Sequence, residues 1–106
     1  MANKSIFLDV VGHSPTMKVI EYLIEGRDFD YTLTDLTNAE VSWGTLHTIF
    51  PRLIKHNIVT QTRTIGRAKL YKINQNSLVV KRLIEIYDSL ILQALEKKKE
   101  KIMIKA

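Results

Sequence analysis

Downstream of Ser42, the residues Leu46, Ile49, Phe50, Leu53 and Ile54 recur at the i, i+3, i+4, i+7, i+8 spacing of a single helix face. Ser is a favoured N-cap, so Ser42 sets where this helix begins. Its opposite face carries Thr45 or His47, Thr48, Arg52 and Lys55, and Asn57 stands where a left-handed residue often closes a helix. Immediately upstream, Thr34 can cap a brief helix through Leu36 to Ala39. Asp35 lies in its first turn, where a carboxylate meets the positive end of the helix dipole. A tight turn over Asn38 to Val41 joins the two.

Two short helices around a tight turn, the second amphipathic with a basic outer face, make a helix-turn-helix. Earlier in the chain, Ile6, Phe7, Val10 and Val11 predict a short first helix ended by Gly12 and His13. Ser14 then caps and Pro15 opens a second helix, roughly Pro15 to Glu25, with Met17, Ile20, Leu23 and Ile24 at helical spacing before Gly26. Arg27 to Asp30 is a charged loop, and Tyr31 to Leu33 has room only for a small edge strand. Beyond the motif, Ile58 to Arg63 and Lys69 to Ile73 read as strands rich in Val, Ile, Thr and Tyr. Thr64 to Ala68, containing Gly66, connects them as a hairpin with a basic tip.

Charge follows the same division. Between Glu40 and Glu85 there is no acidic residue, yet Arg52, Lys55, Arg63, Arg67, Lys69, Lys72, Lys81 and Arg82 all fall there, half of the 16 cations of the chain. These cations alternate with apolar residues, so they are mounted on folded elements rather than on a solvated tail. One strongly positive region on an otherwise acidic chain points to a polyanionic partner.

The composition narrows the chemistry. A chain of 106 residues, 45% hydrophobic and 25% charged, fits one small domain. The absence of cysteine removes disulfides, thiolate metal sites and thiol nucleophiles. His13, His47 and His56 have no ligand-like spacing, so no metal is expected. No glycine-rich phosphate loop follows a strand, and no nucleophile and base can be paired from spacing, so neither an enzyme nor a cofactor is expected. The stretch Ile6 to Val11 is too short for a signal-peptide core and no run reaches membrane-spanning length, which leaves the cytoplasm as the expected location and no membrane partner.

From Asn76, a candidate N-cap, the chain runs to about Lys101 without Gly or Pro, which gives about 38 Å of helix at ~1.5 Å per residue. Twelve of the nineteen residues from Ser77 to Leu95 are apolar, too many for one stripe against a small domain. Val80, Leu83, Tyr87, Leu90 and Ala94 keep a 3-4 spacing, which Ile84 and Ile91 widen sideways. The expectation is a homodimer joined through these seven residues. Lys97 to Lys101 suits the negative end of the helix dipole.

The order of elements resembles the winged helix-turn-helix DNA-binding regulators, particularly small archaeal members related to the ArsR-like and MarR-like groups. The resemblance rests on Thr34-Asp35-Leu36, on Ser42-Trp43-Gly44-Thr45-Leu46-His47 and, most specifically, on Gly66-Arg67-Ala68-Lys69-Leu70-Tyr71, and covers about Phe7 to Tyr87. It implies an α+β, mainly α fold: a three-helix core, a two-stranded β-wing and a long C-terminal dimerisation helix. Residues 1–75 would form the DNA-binding domain, with 76–106 the dimerisation helix of the same compact unit. It implies a regulator of transcription that binds double-stranded DNA, its helix from Ser42 in the major groove and its wing on the backbone or minor groove. A DNA-coating, chromatin or plasmid-partition protein with little base readout, or a winged helix that binds protein, would use the same fold. The effector, if any, is not written in the sequence.

The candidate DNA contacts are Trp43, Thr45, His47 and Thr48 for bases, with Arg52, Lys55, Arg63, Arg67 and Lys69 as cations. Trp43 can equally be a packing residue. Two departures from the family pattern stand out. The turn from Asn38 to Val41 lacks glycine, so Asn38 or Glu40 must take an unusual backbone conformation. Pro51 lies inside the recognition helix, which must either bend there or end near Phe50 and restart.

Overall fold

The computed structural model describes residues 5–105. The elements are α1 (Ile6–Val11), α2 (Pro15–Glu25), α3 (Leu33–Leu36), a 3-10 turn (Thr37–Ala39), α4 (Trp43–Lys55), β1 (Val59–Ile65), β2 (Ala68–Ile73) and α5 (Leu78–Lys105). The two strands form one antiparallel hairpin. The extreme ends of the two regions expected from sequence, residues 1–4 and 106, lie outside the described residues.

Local chemistry sets most boundaries. Ser5, Ser14 and Ser42 each accept a hydrogen bond from the backbone N–H three residues on, which starts α1, α2 and α4. The cap of α3 is Thr32, not Thr34. Thr32 Oγ1 accepts from the Asp35 N–H at 3.1 Å while Asp35 Oδ2 accepts from the Thr32 N–H at 2.9 Å, a reciprocal box that Thr34 cannot make. The expected edge strand accordingly shrinks to Tyr31, which exchanges two backbone bonds with Tyr71, and Leu33 already belongs to α3. In the turn without glycine, Glu40 takes the left-handed conformation, φ 64° and ψ 40°. Asn57, φ 59°, closes α4: the Ile58 N–H bonds to the Leu53 carbonyl and the Asn57 N–H to that of Ile54.

Pro51 does not divide α4, which is continuous. At about 3.6 residues per turn the proline lies diametrically opposite the buried stripe of Leu46, Ile49, Phe50 and Leu53. Its missing N–H, and the clash of its ring with the preceding turn, therefore fall on the solvent side, where helix hydrogen bonds lengthen when a helix curves around a core. Ile54 is outside that stripe and 44% exposed.

The core is assembled from α2 (Val19, Ile20, Leu23, Ile24), Leu36 of α3, the inner face of α4 and the wing base (Val59, Tyr71, Ile73), with Phe50 and Tyr71 edge to face at 4.8 Å. Helix α5 is capped by Ser77 rather than Asn76: Ser77 Oγ accepts from the Val80 N–H at 3.3 Å. At 28 residues it is about 42 Å long. Its first half packs on α1 and α2, and its second half projects from the body. The radius of gyration, 15.8 Å, exceeds the ~13 Å of a compact chain of this length for that reason.

The packing of α5 covers part of the stripe expected to form a dimer seam. Val80 is fully buried in the core of its own chain, and Leu83, Ile84, Tyr87 and Leu90 lie half-buried against that same core. Tyr87 meets the Phe7 ring edge-on at 5.6 Å and donates its hydroxyl to Glu25 at 3.0 Å. Burial and the Glu25 carboxylate push the Tyr87 hydroxyl up to about 12. Ala94 is half-buried and Ile91 borders a groove beside Tyr87. Among the described side chains of this helix, Leu78, Val79, Ile86, Leu92 and Leu95 are the apolar ones left most open to solvent.

Candidate nucleic-acid interface

The exposed side of α4 is built by the same periodicity that buries the other. Gly44, Thr48, Pro51 and Lys55 form its crest, with His47 and Arg52 on the flanks, and all six are exposed. Trp43, 49% exposed, sits at the amino end with its ring edge-on to His47 at 4.5 Å. It is therefore presented outward rather than packed into the core. The Thr48 hydroxyl donates back to the Gly44 carbonyl at 3.2 Å, which leaves its oxygen lone pairs free to accept from a ligand. Thr45 differs from its neighbours. It is half-buried, and its hydroxyl accepts from Ser42 at 2.9 Å as part of the helix cap.

Two crest positions were not among the sequence candidates. In the sequence, Pro51 stands out as a helix breaker and Gly44 as part of a motif string. A Cβ built on Gly44 would meet nothing within 4 Å, so no contact within the chain requires glycine there. The exposed, unexplained glycine is itself the signal.

The wing is a longer hairpin than the strand propensities indicate. Ile65 pairs with Ala68, so only Gly66 and Arg67 form the turn, and Gly66 supplies the positive φ, 61°, required at its first position. Arg67 stands at the tip and Lys69 on β2 pairs with Thr64; both cations are exposed. Ile65, beside the tip, is 56% exposed.

Arg63 is exposed as well, but it is paired. Its Nε and Nη2 donate to the two carboxylate oxygens of Asp30 at 2.8 and 3.1 Å, and Thr62 Oγ1 donates to the same Asp30 at 2.6 Å. The guanidinium and the hydroxyl hold the Asp30 carboxyl down at about 2, and the carboxylate in turn raises Arg63. The same loop is fixed at its other end, where Arg27 forms a bidentate pair with Asp88 of α5 at 2.9 and 3.2 Å.

Helices α1, α2 and α5, together with the turn Asn38 to Glu40, border an open groove of about 620 Å³. Burial pushes the Glu21 carboxyl up despite the hydrogen bond it accepts from Ser5, and Glu25 adds to the rise. Among the described residues no group of three His, Asp or Glu side chains could hold a metal ion, and no helix is long and apolar enough to cross a membrane.

No protein-family model matches this chain, and no curated protein sequence does. Solved structures do. NadR, in complex with 4-hydroxyphenylacetate, superposes with a TM-score of 0.62 at 20% identity over 93% of this chain and 72% of that one. The AntR antimony-specific transcriptional repressor gives 0.59 at 21% over 86% and 78%. A mutant of S. aureus MepR bound to an oligodeoxyribonucleotide gives 0.62 at 15% over 95% and 78%. What is shared at these identities is the backbone architecture, and with the elements described above it identifies the chain as a winged helix-turn-helix protein.

Proposed function

We propose that this protein is a sequence-specific double-stranded DNA-binding regulator of transcription, acting as a homodimer in the cytoplasm. The observation that carries the reading is the crest of α4, a full helical face without packing partners, set beside a wing whose Arg67 and Lys69 are free cations. The crest enters the major groove, with Trp43, His47 and Thr48 at base edges and Gly44 at the point of closest approach. Arg52, Lys55, Arg67 and Lys69 neutralise phosphates on either side. The fold's occurrence in MepR bound to an oligodeoxyribonucleotide supports DNA as the partner.

Dimerisation follows from the apolar surface of α5 that its own domain does not cover. Val79, Leu83, Ile86 and Leu90 keep a 4-3-4 spacing along one edge, with Val79 and Ile86 exposed, and the helix beyond offers Leu92 and Leu95. A twofold pair presents two α4 helices to successive major grooves, about 34 Å apart.

Selection from random duplexes, followed by titration over a range of salt, tests the reading. A palindromic consensus and a steep salt dependence are expected. Salt-dependent binding without a consensus would favour a DNA-coating role, and no binding at physiological salt would favour a protein partner. Val79→Glu with Ile86→Glu should yield monomers that keep the fold, because neither side chain contributes to the core. A wild-type chain that sediments as a monomer at micromolar concentration would refute the dimer.

A further inference from the structure

We infer that Asp30 is a wing-positioning residue, which takes Arg63 out of the set of cations offered to DNA and uses it to fix the hairpin on the body of the protein. The inference rests on the DNA-binding reading only for its effect on affinity; the anchoring itself belongs to the free protein.

The backbone is arranged for this contact. Along a regular strand, neighbouring side chains leave opposite faces, so Thr62 and Arg63 could not both reach one carboxylate. The register shifts between Gln61, opposite Tyr71, and Arg63, opposite Leu70, which leaves Thr62 as an extra residue. This bulge turns both side chains towards Asp30, a re-aiming that bulges commonly serve. Every oxygen of the carboxylate is engaged, Oδ1 by Arg63 and Oδ2 by Arg63 and Thr62.

The anchor point is held as well. Tyr31, the next residue, exchanges backbone bonds of 2.7 and 2.8 Å with Tyr71 of β2, and Arg27 is clamped to Asp88 of α5. Gln75, between the wing and α5, donates to the Arg27 carbonyl at 3.0 Å. The loop from Gly26 to Tyr31 thus connects the wing to the long helix, and Asp30 is its attachment to the outer strand. An exposed ion pair alone adds little to stability, but a bidentate pair sharing a hydroxyl fixes direction. The wing's direction determines where Arg67 meets DNA.

The test compares Asp30→Asn, Arg63→Ala, their combination and the charge swap Asp30→Arg with Arg63→Asp. In the free protein, amide exchange of β1 and β2 should quicken severalfold in both single variants, no further in the double, and recover in the swap. In DNA titrations Arg63→Ala should leave the logarithmic salt slope unchanged, whereas Arg67→Ala lowers it by about 0.9. Unchanged exchange in Asp30→Asn would overturn the anchoring. A fall of about 0.9 in the slope for Arg63→Ala would show that Arg63 contacts phosphate and overturn its sequestration. If no variant, nor the wild type, binds DNA, the functional reading fails while the exchange data still decide the anchor.

Discussion

Replacing Gly26 with alanine should loosen the seat of the wing through one steric contact. A Cβ at Gly26 would lie 1.8 Å from the Tyr31 hydroxyl oxygen, 2.8 Å from Cζ and 3.2 Å from Cε2. The glycine itself has φ −105° and ψ 42°, which an L-residue can adopt, so the cost is collision and not backbone strain. Tyr31 cannot withdraw as a unit, because its N–H and carbonyl are both bonded to Tyr71. The ring must swing away, giving up its edge contact with Tyr22 at 5.3 Å. Such overpacking costs about 1 to 3 kcal/mol. The narrower unfolded ensemble of alanine returns about 0.4 to 1 kcal/mol. A net loss of about 1 to 2 kcal/mol should lower Tm by about 4 °C or more in a domain of this size. Thermal unfolding of Gly26→Ala, Tyr31→Ala and the double variant forms a cycle. In the Tyr31→Ala background the alanine should be neutral or stabilising. A raised Tm for Gly26→Ala alone, or a cost that persists without the tyrosine ring, would refute the steric account.

Acid should destabilise the fold in a defined window. Asp30 is held at about 2 against an ordinary 3.8, so the unfolded chain takes up the proton first, and the stability this carboxylate contributes above about pH 4 is lost as pH falls towards 2; Asp30→Asn should flatten that part of a stability profile. Asp88, lowered by Arg27, adds a loss of the same sign. Gly44→Ala should stabilise the free protein by up to about 1 kcal/mol, from helix propensity and with no clash, yet weaken DNA binding; binding left intact would remove Gly44 from the interface. Pro51→Ala restores a donor for the His47 carbonyl in a helix that is already continuous, so the unfolding midpoint in urea should rise, and a fall would mean that the proline is required for the shape of α4.

The sequence determined by itself those features whose causes are local. Ser14 and Pro15 begin α2, Gly26 ends it, Ser42 begins α4 and Asn57 ends it, because caps, fixed φ and tolerance of left-handed backbone act over a few residues. The lack of glycine in the helix-turn-helix turn identified Glu40 as one of two candidates for strain. The buried stripe of α4 and the hairpin likewise follow from periods of 3.6 and 2. The Thr32 cap was also legible, in the spacing of Thr32 and Asp35, although Thr34 is the more obvious signal. Tertiary structure decided what periodicity cannot. A helix that is apolar on several sides does not say which side its own domain covers, and burial of Val80 with Tyr87 moved the open stripe of α5 to Val79 and Ile86. A cation in a basic run does not say whether it is free or paired with a carboxylate 33 residues away, and Arg63, exposed yet bonded to Asp30, is the paired case. Both depend on contacts between distant segments, which form only once the chain has closed around its core.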